Sequence, residues 1–306
     1  MNRNRKEGEV KATVSQAAAS MPARWLQDFK MLVKFRLSLT VVFSSAMGFL
    51  IASPGDWNWF SLFMLSLGGF LVTGAANILN QVLEKDYDRM MQRTADRPLA
   101  AGRMRISEAV LLAGVMALFG ITILAWFNPW TAFLGMVALM LYAFVYTPMK
   151  RIGPVAVFVG AIPGALPTLI GAAAAEGFIS ALGTALFAIQ FFWQFPHFWS
   201  IAWLGHDDYI NAGYRLLPDG GEERRNTTGL YALFYALPLI PLGLVPWMTG
   251  ATGMVSALVI AVLSLGYAAM GWALFRRNDR KAALQLMFYS FIFIPVALVA
   301  LWADKM

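Results

Sequence analysis

The chain has 306 residues, 59% of them hydrophobic and only 13% charged, with a formal net charge of +7 and no cysteine. A soluble chain carries about twice that charged fraction, so composition argues against a soluble core, and the lack of cysteine excludes disulfides, thiol catalysis and thiolate metal sites. The excess cations lie beside apolar blocks, where orientation in a lipid bilayer accounts for them without nucleic acid.

Residues 1–34 are polar and basic, lack the apolar core and small-residue cleavage site of a signal peptide, and contain Glu7 and Glu9, which weigh against a transit peptide. They are read as a flexible cytoplasmic arm before a transmembrane domain over 35–306. Nine apolar blocks follow at 37–52, 59–79, 109–127, 130–146, 155–175, 178–204, 230–248, 254–275 and 284–302. Most approach the ~20 residues that cross hydrocarbon as a helix. Pro163 and Pro167 in the fifth block and Pro238, Pro241 and Pro246 in the seventh imply kinks. The expected architecture is all-α, a polytopic membrane protein of about nine transmembrane helices.

The connections alternate in charge. Basic residues fill 85–105, 150–151, 215–225 and 276–281, whereas 53–58, 128–129, 176–177 and 249–253 hold no Lys or Arg. The positive-inside rule then puts the N-terminus in the cytoplasm and the C-terminus outside.

The second block runs into Asn77, Asn80, Glu84, Asp86 and Asp88. If the helix continues, Asn80, Glu84 and Asp88 recur every four residues and drift only about 40° per step, so they share one face with Asn77 while Asp86 points away. Hard cations such as Mg²⁺ take a few such oxygen donors together with substrate phosphates; a solvated helix end is the plainer reading of the same residues. Arg93 and Arg97 follow as topology markers or phosphate clamps.

The sixth block holds Gln194 and His197 and ends in His206-Asp207-Asp208-Tyr209. An intramembrane His is either a hydrogen-bonded packing residue or functional. The second and sixth blocks run in the same direction, so their acidic ends meet one membrane face. Tyr146, Lys150 and Arg151 at the end of the fourth block, and Lys34 and Arg36 at the start of the first, reach that face too. Metal ligands on two sides with cations around them suit a diphosphate.

The stretch NQVLEKDYDRMMQRTADRPL over 80–99, with YTPMKR, WQFPHF and DDYINAGYRLLP in the same order, resembles the UbiA prenyltransferase superfamily, and within it the haem-modifying branch. The likeness spans nearly the whole membrane domain. It implies nine helices around a central cavity, with Asn80, Glu84, Asp88 and Asp208 catalytic. These four residues, joined by Asp207, would hold Mg²⁺ in the implied site. Glu84 stands where the family usually has Asp, Ala212 replaces a second acid, and the polar residues expected after Arg151 are missing.

The resemblance further implies farnesyl transfer from farnesyl diphosphate to the vinyl group of protohaem IX in the cell inner membrane. Substrate contacts would come from Arg36, Asn77, Arg93, Arg97, Tyr146, Lys150, Arg151, Gln194, His197 and His206. The product would pass to haem A synthase or terminal oxidase assembly. Prenylation of an aromatic quinone precursor is the alternative. A transporter fits less well, because the acids crowd one membrane edge and not the midplane.

Overall fold

A computed structural model describes residues 21–55, 57–220 and 223–306. The described residues are helical apart from connections and one isolated bridge between Thr252 and Lys305. In chain order the helices are α1 (Met21–Leu32), α2 (Phe35–Ala52), α3 (Trp59–Met90), α4 (Ile106–Ala125), α5 (Pro129–Met149), α6 (Val155–Glu176), α7 (Ala181–Leu204), α8 (His206–Asn211), α9 (Thr227–Met248), α10 (Met254–Arg277) and α11 (Arg280–Ala303).

Eight of these helices combine membrane-crossing length with high apolarity. The ninth segment, α7, has 24 residues but carries Gln190, Gln194, Pro196 and His197 in its interior. The spans expected from hydropathy are thus all present as helices. The expected arm is only partly described. Residues 1–20 lie outside the described residues, while Met21–Leu32 forms α1. This helix is docked and not an arm: Leu32 and Val33 are fully buried, and Arg103 clamps Asp28 at 2.9 Å and Asp96 at 2.8 Å.

Two apolar clusters fill the bundle. One is built on α1–α6, the other on α6–α11, and α2 and α6 contribute to both. These two helices meet backbone to backbone. A Cβ on Gly48 would fall on the Thr168 carbonyl, and one on Gly171 would fall on the Ser45 carbonyl. Small residues permit such close approach where lipid gives helices no hydrophobic drive to associate.

Two departures from a plain helix position the polar end. First, α3 has 32 residues, about 48 Å at 1.5 Å per residue, against a hydrocarbon layer of about 30 Å. Its last turns therefore project beyond the apolar slab and carry Asn80, Glu84 and Asp88 there. Secondly, α5 changes to π-helical winding over Leu141–Tyr146. Pro148 has no N–H to give an α-helical bond. Thr147 instead donates its N–H to the Tyr142 carbonyl, and its hydroxyl adds a second bond there at 2.8 Å. The wider turn places Tyr142 and Thr147 against α3.

Candidate functional site at the polar end of the bundle

The shared face predicted for α3 is present, and it is buried. Asn80, Glu84 and Asp88 are 0%, 3% and 1% exposed. Asp86, on the other side of the helix, is exposed and pairs with Arg89 at 3.4 Å.

Each of the three buried acceptors receives a different cation. Lys34 Nζ donates to Asn80 Oδ1 at 2.7 Å. Lys150 Nζ lies 2.8 Å from Glu84 Oε1. Arg97 donates to both oxygens of Asp88, at 2.8 and 2.7 Å. The cations come from the α1–α2 junction, the end of α5 and the loop after α3. Asn80 also donates to Thr147 Oγ1 at 3.0 Å, which ties α3 to the π-helical turn. Tyr142 receives Lys34 at 3.3 Å, and the Lys150 ammonium lies 4.7 Å from the centre of the Tyr146 ring.

Three cations thus face two carboxylates in a buried space. Burial, with Arg97 and Lys150 close by, holds the Lys34 ammonium well below its usual pKa against the pull of Glu84 and Asp88. Burial also opposes the charge of Lys150, but the Tyr146 and Glu84 oxygens hold its pKa well above the usual value. An ammonium opposed by burial and by two neighbouring cations is a group that an incoming anion would stabilise.

The second acidic motif lies against the same end. Arg93 donates to the Tyr209 hydroxyl at 3.0 Å, and Tyr87 stacks on Tyr214 with ring centres 5.3 Å apart. These contacts join α8 and its following loop to the end of α3. Among the described residues the half-buried Asp208 carboxylate has no hydrogen bond or ion pair. Burial pushes the Tyr214 hydroxyl pKa up, and that hydroxyl is an unpartnered buried atom, as is His206 Nε2.

Several expected contacts fall elsewhere. Asn77 donates to the Val33 carbonyl at 3.2 Å and Ser38 Oγ at 3.3 Å, and so fastens the start of α2. Arg36 is exposed, two residues beyond Lys34, and it is Lys34 that reaches the ladder. Arg151 turns outward over the Tyr87 ring at 4.4 Å and donates to the Leu83 carbonyl. Gln194 is spent on the carbonyls of Ala161 and Gln190, in space left by Gly164. Asp207 is exposed and bonds Arg224 at 2.8 Å, which holds its carboxyl below the usual range. His206 Nδ1 lies 3.6 Å from Asp207, and His197 lies deeper, bonded to Ser290.

Tyr142 and Thr147 are the ladder residues that the sequence does not single out, while it places Lys34 at this face without a partner. Lys34 adopts a left-handed conformation with φ 47°, which breaks α1 from α2 and aims the side chain inward. A lysine at a helix junction gives no sequence signal of that turn.

Asn80, Glu84, Asp88 and Asp208 are hard oxygen donors, the chemistry Mg²⁺ selects. Among the described residues no three acidic or histidine side chains form a ready-made cage, and Glu84 and Asp88 each already hold a cation. That suits an ion arriving with substrate phosphates, which needs only one or two protein carboxylates.

A family model for the UbiA prenyltransferase family matches residues 41–292. The chain belongs to the UbiA prenyltransferase family. Among its UbiA relatives, the protoheme IX farnesyltransferase of Cytophaga hutchinsonii is 41% identical over 286 residues, covering 92% of this chain and 99% of that one. The protoheme IX farnesyltransferase of Christiangramia forsetii is 39% identical over 285 residues, covering 92% and 94%. Among solved structures, a digeranylgeranylglyceryl phosphate synthase superposes with a TM-score of 0.76 at 16% identity, over 91% of this chain and 98% of that one. A UbiA homolog from Archaeoglobus fulgidus bound to GPP and Mg²⁺ gives 0.64 at 16% identity, over 90% and 99%. These structural likenesses establish the UbiA fold.

Proposed function

We propose that the chain transfers the farnesyl group of farnesyl diphosphate to the vinyl group of protohaem IX, giving haem O. The observation that carries the diphosphate part is the buried ladder of Lys34, Lys150 and Arg97 on Asn80, Glu84 and Asp88. The acceptor is inferred from relatives named for that reaction and similar over nearly their whole length.

On this reading the three cations leave their acceptors for the diphosphate oxygens, and Asn80, Glu84 and Asp88, with Asp208, are freed to hold Mg²⁺. When bound there, Mg²⁺ neutralises charge developing on the leaving diphosphate. Lys34, Lys150 and Arg97 add preorganised donors in a site screened from water, where such stabilisation is strongest. The farnesyl C–O bond breaks and its electron pair leaves with the diphosphate. The haem vinyl group attacks the allylic cation, and water captures the second cation, losing a proton to leave a hydroxyl. The apolar ends of α2–α7 keep water from the first cation.

The polar end faces the cytoplasm of the inner membrane, where soluble farnesyl diphosphate enters, and the C-terminus lies outside. The product passes to haem A synthase or to terminal oxidase assembly. An acceptor competition tests the reading. Membranes holding the chain receive farnesyl diphosphate and Mg²⁺ with protohaem and hydroxybenzoate together. A later-eluting hydroxyfarnesyl haem is the expected product, and prenylated hydroxybenzoate alone would refute the haem assignment.

A further inference from the structure

His197 plays no part in the acid–cation ladder. It sits seven residues before the end of α7, about 10 Å deeper along the helix. Its surroundings hold the ring and favour one tautomer. Nδ1 lies 2.7 Å from Ser290 Oγ on α11, while the Ser290 hydroxyl donates its own hydrogen to the Met287 carbonyl at 2.5 Å. With that hydrogen given to Met287, the serine oxygen accepts, and the tautomer that fits it carries the proton on Nδ1 and the lone pair on Nε2.

The ring is also clamped. Trp193 stacks on it with centres 4.9 Å apart and planes 17° apart, and Phe291 meets it edge-on at 5.3 Å. Trp193 in turn donates to the Ser290 carbonyl at 2.9 Å, and Tyr267 holds the Trp193 carbonyl at 3.1 Å. Among the described residues Nε2 has no partner, yet it is not sealed in the core: the residue is partly accessible, beside the exposed Phe291.

A polar atom left bare in an apolar layer is costly, so an open ring nitrogen at this depth is a place for a partner. Here one nitrogen is anchored to an acceptor and the other is presented open among aromatic rings. That is the arrangement of a metal-ligating histidine, whose second ring nitrogen donates to a fixed acceptor.

Resting on the proposed haem acceptor, we propose that His197 ligates the iron of the protohaem substrate through Nε2, with Ser290 as the residue positioning the imidazole. The macrocycle then lies among Trp193, Phe291 and lipid. Its carboxylates reach toward the end of the bundle where Arg276, Arg277, Arg280 and Lys281 lie.

The test titrates ferric protohaem into the purified full chain in lipid nanodiscs, without farnesyl diphosphate, and reads the Soret band. The parent should show a histidine-ligated spectrum. His197→Ala should lose it and regain it with added imidazole. His197→Cys should shift the band to a thiolate-ligated form, an unambiguous signal in a chain without cysteine. Ser290→Ala should keep the ligation type and weaken binding by about tenfold. The only other histidine is His206, and His206→Ala should leave the band unchanged. Parent spectrum and affinity in His197→Ala would overturn the proposal; if that variant misfolds, an unshifted band in His197→Cys does so instead. Turnover separates the two readings. A parent that yields no haem product with farnesyl diphosphate defeats the proposed function, whereas haem product together with a Soret band indifferent to position 197 defeats the ligand assignment alone.

Discussion

Lys34 reaches across 46 positions of sequence to place its ammonium 2.7 Å from the amide oxygen of Asn80. The contact joins the α1–α2 junction to the fully buried start of the α3 polar face. Together with Lys150 on Glu84 and Arg97 on Asp88, it turns a row of acceptors into an anion-ready cluster.

The Glu84–Lys150 pair should be both structural and functional. Glu84→Gln leaves Lys150 buried without its counter-charge, which should cost about 3–5 kcal/mol and abolish most turnover. Glu84→Asp should retain much of the activity. Adding Lys150→Met to Glu84→Gln should restore the thermal midpoint in detergent without restoring turnover. Recovery of both would reduce the pair to a packing element.

Metal removal gives an independent check. Exhaustive chelation should stop farnesyl transfer, and Mg²⁺ should restore it better than Ca²⁺, which prefers more ligands at longer distances. Full turnover after chelation would contradict a metal role for Asn80, Glu84, Asp88 and Asp208.

Gly171 tests the packing that joins the two halves of the bundle. An alanine Cβ there falls on the Ser45 carbonyl of α2, and such overpacking costs about 1–3 kcal/mol. Gly171→Ala should lower the unfolding midpoint, read by circular dichroism in detergent. An unchanged midpoint would mean that α2 and α6 separate freely.

Topology follows from loop charge and can be read directly in a cysteine-free chain. Lys281 and Thr249 are exposed at opposite ends of α10. A membrane-impermeant thiol reagent applied from the cytoplasm should modify Lys281→Cys and spare Thr249→Cys. The reverse pattern would invert the orientation.

Hydropathy made the helices legible because each needs a long apolar run. It was weakest for α7, where Gln190, Gln194 and His197 interrupt the run, and it missed α1, whose Leu32 and Phe29 are too few to mark a span. The acceptor face of α3 was readable because a four-residue spacing stays on one side of a helix. Of its partners, the cations Arg97 and Lys150 were legible as charges at that end, but the inward turn of Lys34 and the arrival of Tyr142 and Thr147 were not. Lys34 points inward through a left-handed backbone, and Tyr142 and Thr147 arrive through a π-helical turn. Both are backbone events without a periodic signature. Asp207 and Asp208 are adjacent in sequence, yet only contact with Arg224 tells which one faces away.

The most direct test of the ladder compares two lysine or arginine positions two residues apart. Farnesyl transfer to protohaem is followed under kcat/KM conditions for Lys34→Met and Arg36→Met, each checked for folding by its thermal midpoint. Loss of a buried preorganised donor should lower the rate by about 10²–10³-fold, so Lys34→Met should fall that far while Arg36→Met stays near the parent. A Lys34→Met variant as active as the parent, or a loss confined to Arg36→Met, would contradict the placement of the diphosphate on the Lys34–Asn80 ladder.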